Sequence, residues 1–306
     1  FYPQALEKGT RSERALKLAL AEMYVQGVST RRVAAITEKL CGFSVSSGQV
    51  SQAAKEMDAA LEGWRTRPLG EHPYLYLDAR YEKVRQGGAA RDAAVLIAAG
   101  VDADGRRSVL GVSVALSEQE VHWREFLQSL VARGLRGVRL VVSDAHVGVK
   151  AARQAVLGGV PWQRCQFHLQ QNAGKYVPRQ EMRAQVAADI RAVFNARDRA
   201  EADALLKRTA EKWEKSAPKL AAWMEESIPE GLAVFSFPEA HRRLLRTTNG
   251  LERVNKEVKR RTRVAGLFPN EASCLRLASA VLMEISDDWQ SGKAYLTFPN
   301  RENEQM

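Results

Sequence analysis

The sequence is short of cysteine, of long apolar runs and of acidic charge, and each shortage excludes something. Its 306 residues carry three cysteines, Cys41, Cys165 and Cys274. They are odd in number and far apart, so no disulfide framework follows and a reducing compartment is expected. The longest apolar run, Ala93–Val101, is nine residues long, against roughly twenty needed to cross a bilayer. No membrane partner is expected. The opening FYPQALEKGTR has no initiator Met and no signal-peptide pattern. It reads as a soluble intracellular protein, trimmed from the C-terminal part of a longer one.

What is present is basic charge. Lys and Arg outnumber Asp and Glu by 46 to 36, a net +10, and the pI is near 9.6. A polyanionic partner suits such a balance, although the total names no chemistry. The excess is also local. His241 to Arg263 holds nine basic residues against two acids, Glu252 and Glu257.

Along the chain, residues 11–66 read as helices. Ser12–Gln26 is periodic, GVSTRRVAAITEKL follows, and SSGQVSQAAKEMDAALEGW comes after the turn CGFSVS. A helix-turn-helix and a plain helical bundle both fit this pattern. Arg31, Arg32 and Lys55 suit phosphates, or equally a solvated face. TRPLGEHP looks like a linker. At Tyr74 the period becomes two: YLYLDARY reads as a strand ending near Asp78, AAVLIAAGV as a second and RSVLGVSVA as a third, with DADG as a hairpin between them. Asp102 and Asp104 belong to that turn chemistry. SEQE (117–120) is a capping box opening the helix VHWREFLQSLVARG, which Gly134 stops. GVRLVVSD reads as a buried parallel strand, GVKAARQAVL as a helix, and PWQRCQFH contains a fifth, short strand. Residues 169–245 are helical in pattern, as are the basic stretch and ASCLRLASAVLMEISDDW near the end. The predicted divisions are a helical unit over 1–70, a strand-containing part over 71–170, an all-helical stretch over 171–245 and a last part over 246–306.

The order β-β-β-α-β-α-β with a later helix is that of an α/β ribonuclease H-like core. There, carboxylates on the first strand, the fourth strand end and the final helix meet. This chain has Asp78, Asp144 and Glu252 at those places. Clustered carboxylates repel unless a cation neutralises them, and an all-oxygen set suits Mg²⁺ or Mn²⁺. Two such ions about 4 Å apart activate an attacking hydroxyl and stabilise a leaving oxygen in phosphodiester chemistry. The nearby Arg253, Lys256, Lys259, Arg260, Arg261 and Arg263, with Arg31 and Arg32, would bind the DNA backbone. Glu252 has a second reading, as the N3 member of a capping box with Asn249 as N-cap. Both roles are compatible. Leu251, Val254 and Val258 form an apolar stripe with Glu252, Asn255 and Lys259 beside it, while Glu257 lies on the other flank with Arg253 and Arg261.

Lesser candidates remain. Cys165-x-x-His168 is half a zinc pattern without a second Cys/His pair, so a buried Cys with an orienting His is expected instead of structural zinc. His146 caps the following helix or touches a phosphate. Trp123, Trp162, Trp213 and Trp223 read as core.

With these residues in hand, the chain resembles the Mutator-type transposases of bacterial insertion sequences. YVQGVSTRRVA, RPLGEHPYLYLDARYEKVR, GVDADGRRSVLGV, RGLRGVRLVVSDAHVG, QRCQFHLQQN and RTTNGLERVNKEVKRRTRVAGLFPN carry the likeness. The resemblance implies a DDE transposase with a ribonuclease H-like core interrupted by a helical insertion. It implies Asp78, Asp144 and Glu252 as catalytic metal ligands and Cys165 and His168 as the C-x-x-H motif. Ala145 and Gln171 depart from the usual Gly and Arg. The resemblance further implies a cytoplasmic, nucleoid-associated homodimer acting on double-stranded DNA ends, with a circular intermediate. A ribonuclease H-like nuclease or resolvase, and a non-catalytic DNA-binding protein, are the alternatives.

Overall fold

The computed structural model describes residues 14–42 and 45–298. Ser12, and Phe43 and Ser44 of the expected helix-turn-helix turn, lie outside them. Three helices, α1 (Arg14–Val25), α2 (Thr30–Cys41) and α3 (Ser47–Lys55), close on Leu20, Val33, Val45, Val50 and Ala53. Their ends are fixed locally: Ser29 caps α2, and Ser46 and Gln49 form a reciprocal capping box on α3. Helix α4 (Asp58–Thr66) leads to the sheet.

Five strands form that sheet: β1 (Tyr74–Gln86), β2 (Ala89–Val101), β3 (Arg107–Ala115), β4 (Leu140–Ser143) and β5 (Trp162–Arg164). Their order is β3-β2-β1-β4-β5, with the first three antiparallel and β4 and β5 parallel to β1. Side chains alternate between two cores. Leu75, Leu77, Leu96, Leu110 and Val141 face α5 (Glu120–Ala132) and α6 (Val147–Leu157). Tyr74, Tyr76, Val95, Ile97, Leu140 and Val142 face the opposite layer. Burial on both faces explains why β2 and β4 read as unbroken apolar runs.

That opposite layer includes α12 (Asn249–Thr262) and α13 (Glu271–Ser291). Every described element between β5 and α12 is helical, including α7 (Gln166–Ala173), α8 (Arg183–Phe194), α9 (Arg199–Glu214), α10 (Pro218–Ser227) and α11 (Glu239–Leu245). No helix among the described residues is long and apolar enough to cross a membrane. Trp123, Trp213 and Trp223 are buried, as expected. Trp162 is only partly so, with its indole N–H on Ser143 Oγ at 3.0 Å.

Two expectations fail locally. β1 does not end near Asp78 but runs to Gln86 and turns through Gly87 and Gly88, both at positive φ. Residues 89–92 opposite it are exposed, so backbone pairing holds this outer hairpin without the apolar alternation that marks a strand. Nor does SEQE form a capping box: α5 begins at Glu120, and its N-cap, Gln119, makes no side-chain bond. Tertiary contact fixes this corner instead. A Cβ on Gly148, at the start of α6, would stand 1.9 Å from the Glu118 carbonyl oxygen.

Candidate active site and basic helix

Parallel pairing of β1 with β4 covers only Tyr74–Tyr76 and Leu140–Val142. The two strands therefore part from each other beyond that level, at the switch point where ligands collect in α/β sheets. Asp78 lies two residues past the last pair on β1, and Asp144 just past the end of β4. Asp78 shares the parity of Tyr74 and Tyr76, so it faces the layer that contains α12.

Helix α12 docks along those same even positions. Its stripe of Leu251, Val254 and Val258 is buried, which stabilises by up to about 1.5–3 kcal/mol per side chain. Beside the stripe, Asn255 Nδ2 donates to Asp78 Oδ2 at 2.8 Å. Arg80 donates to the Asn255 carbonyl and pairs with Glu82, and Thr262 donates to Glu82 at 2.7 Å. This ladder sets Glu252 at the Asp78 end of the helix. Asn255 and Arg80 carry the alignment, and the i, i+3 spacing of Glu252 and Asn255 was the available signal for the first.

The expected Asn249 cap is absent. Asn249 is the first helical residue and exposed, while Thr248 is the N-cap and makes no side-chain capping bond. Thr248 is otherwise engaged: its backbone N–H and hydroxyl both donate to Cys165 Sγ at 3.4 Å. Glu252 is therefore aimed by helix docking, and its Oε1 is buried with no hydrogen-bond partner. His168 Nε2 stands 3.9 Å from it.

Asp78 is the electrostatic centre of the group. Burial, then the negative charges of Asp144 and Glu252, push its carboxyl up to about 7, against the Ala79 N–H and His168, which favour the ionised form. His168 is held up to about 9, first by the adjacent Cys165 thiol and then by Asp78 and Asp144, against burial. Burial opposes ionisation of Cys165, but the adjacent His168 and the bonds from Thr248 outweigh it and lower the thiol. Cys165 is fully buried, as expected of it. His146 caps α6, its Nδ1 accepting from the Gly148 N–H at 3.3 Å. It also stands 3.5 Å from Glu118, a partly buried acid that the sequence reading treated only as part of a cap. Burial pushes Glu118 up, and the nearby Asp144 adds to this while His146 opposes it.

The three acids thus share one electrostatic field. The tighter trio among the described residues is Cys165, His168 and Glu252, whose ligand atoms all lie within 4.8 Å of one another.

Residues 1–292 match the family model described as "Transposase, Mutator family". The chain belongs to the Mutator family of transposases. Among curated relatives, it is 63% identical over 97% of its length to the transposase for insertion sequence element IS406 of Burkholderia multivorans, covering 77% of that protein. It is 44% identical over its full length to the ISRM5 transposase of Rhizobium meliloti, again covering 77%. It is 35% identical over 97% of its length to the transposase for IS256 in transposon Tn4001 of Staphylococcus aureus, with 77% covered.

The basic segment of this chain divides into two classes of side chain. Glu252, Lys256, Lys259 and Arg263 follow one stripe of α12, and the three basic residues are exposed with no carboxylate partner among the described residues, as is Arg253. Arg260 is exposed but clamps Glu257 at 2.7 and 2.8 Å. Arg261 corrects the sequence reading. It is only 6% exposed, bound to Glu257 at 2.8 Å and Glu284 at 2.9 Å, and the Gly27 turn packs on its backbone. Arg260, then Arg261, hold Glu257 down to about 2. Arg31 and Arg32 are exposed on α2.

Lys259→Ala is therefore expected to weaken duplex DNA binding on all sequences and flatten its log–log salt slope by about 1. Arg261→Ala leaves the slope in place and instead lowers stability by about 1–3 kcal/mol, since it removes the guanidinium that holds Glu284 and leaves Glu257 to Arg260 alone. Binding titrations at several salt concentrations, beside urea melts, separate the two. Equal salt slopes for wild type and Lys259→Ala would remove Lys259 from the interface.

Proposed function

We propose that this chain is a DDE transposase that cuts DNA at the ends of an insertion sequence and joins the freed ends to target DNA, using Asp78, Asp144 and Glu252 around Mg²⁺ or Mn²⁺. One observation supports the reading: the charges of Asp144, after the fourth strand, and of Glu252, on a late helix, both act on Asp78 near the β1/β4 switch point, and Asn255 of that helix bonds Asp78. The sheet order β3-β2-β1-β4-β5 and the helical stretch before α12 support a ribonuclease H-like core with an insertion. The α1–α3 unit, with Arg31 and Arg32, is a DNA-binding or dimerisation element in this reading.

The donor set fits two hard divalent ions. It is all oxygen, Glu252 Oε1 has no partner, and the charges of Asp144 and Glu252 add to burial in raising the Asp78 carboxyl. Such ions, when bound, activate the attacking oxygen and stabilise the leaving one. The rest falls to the chain. Asn255 fixes Asp78 Oδ2, and the Ala79 N–H fixes Oδ1 at 3.0 Å, so the carboxylate cannot rotate freely. Lys256, Lys259 and Arg263 hold the phosphate backbone along the stripe that begins at Glu252. Water is the nucleophile for nicking and the freed 3′-OH for joining. A homodimer holding paired ends, and a circular intermediate, complete the proposal.

The test is a product assay on duplex DNA bearing an element end, with Mg²⁺ and a target plasmid. Nicked ends together with joined products are expected. Nicks without joined products would replace the reading with a ribonuclease H-like nuclease, and DNA binding without either would leave a non-catalytic DNA-binding protein.

A further inference from the structure

We infer that Cys165, His168 and Glu252 form a zinc-binding site whose occupation withdraws Glu252 from the acid cluster and switches the enzyme off. Zinc binding itself follows from the trio alone; the inhibition rests on the proposed role of Glu252. Thiolate, imidazole and carboxylate are the three donor types that zinc takes, and their ligand atoms already lie within 4.8 Å of one another. Tetrahedral zinc with bonds of about 2.0–2.3 Å needs ligand atoms about 3.5 Å apart, so a small contraction closes the site. Rotation of the Glu252 carboxylate supplies it, because Oε1 is held by no hydrogen bond.

The sequence places the other two ligands rigidly. Cys165 is the N-cap of α7, directly after β5, and His168 lies one turn further on. The N–H and O–H of Thr248 point at Sγ, the kind of outer-shell donation that steadies a metal-bound thiolate. On binding, the thiol proton passes to solvent and sulfur becomes a thiolate ligand. Water fills the fourth position, as in three-ligand zinc sites. A soft sulfur makes the trio a poor Mg²⁺ site and a good zinc site. The two kinds of metal occupancy compete for one carboxylate.

The experiment uses tag-free full chain stripped of metal. Zinc competition against a chromophoric chelator is expected to give one ion per chain. Co²⁺ in its place is expected to give a tetrahedral visible spectrum with a thiolate charge-transfer band. Cys165→Ser abolishes that band, and both Cys165→Ser and His168→Gln weaken zinc binding by more than about 100-fold, since outer-shell changes alone cost about 10–100-fold. His168 is partly exposed, so its variant serves if the buried serine disturbs folding. Mg²⁺-supported cleavage falls as zinc fills the site and returns on chelation. Asp144→Ala keeps the zinc stoichiometry, so a failed catalytic reading and a failed zinc site are distinguishable. Zinc binding of equal strength in both ligand variants, or a Co²⁺ spectrum without the sulfur band, overturns the site. Full cleavage with zinc bound overturns the switch.

Discussion

Asp144→Ala is expected to lower Mg²⁺-supported cleavage of element-end DNA by at least about 10³-fold, because a divalent ion contributes several kcal/mol to such a transition state at 1.36 kcal/mol per tenfold. The fold should tolerate the change. Asp144 follows β4 outside both cores, and its recorded hydrogen bond is from the His146 N–H, at 3.1 Å. Losing that bond costs about 1 kcal/mol. Removing a negative charge beside Asp78 acts the other way, since Asp144 is one of the charges that raise it. Activity and stability are therefore expected to separate: cleavage lost, urea midpoint nearly unchanged, DNA binding by the basic stripe retained. Unchanged cleavage in the variant would remove Asp144 from the site.

Asp78→Asn is expected to stabilise the metal-free protein above neutral pH while abolishing cleavage. Asp78 is raised from 3.8 to about 7 in the folded chain. Between those values the native state holds a proton that the unfolded chain has released, so stability falls as pH rises. The contribution is fully present below about pH 4, is lost progressively up to about pH 7, and is absent above. At 1.36 kcal/mol per pKa unit this is on the order of a few kcal/mol. Asparagine carries no charge and can still accept from Asn255, so the variant should match wild type near pH 4 and exceed it at pH 8. Mg²⁺ should raise the wild-type Tm at pH 8 and leave the variant's almost unmoved. Urea melts at both pH values, with and without Mg²⁺, test this. Parallel pH profiles for the two proteins would mean that Asp78 is not the strained group.

The two variants probe a site that the sequence outlined better than it explained. β3 was legible to the residue, because Arg107–Ala115 is buried and bounded by a turn. The length of β1 was not, because its outer half lacks a regular apolar alternation and is held by backbone pairing and by polar side chains such as the Lys83–Asp92 pair. Glu252 stood out as an acid in a basic stretch, but its capping partner did not materialise. Thr248 gives its donors to Cys165, a residue distant in sequence, and no local pattern reports such a competitor. Arg261 shows the same limit: within the run it is one cation among several, and only Glu284 and the Gly27 turn distinguish it from Lys259.

The sequence by itself determined the order of elements, the burial of the fourth strand, the candidate acids and the basic stretch. All of these follow from periodicity and charge, which act over a few residues. Only the tertiary structure decided which charges remain free, what aims Glu252, and that Cys165 and His168 stand against it. Those outcomes depend on contacts between distant segments, where buried polar groups compete for a limited set of partners.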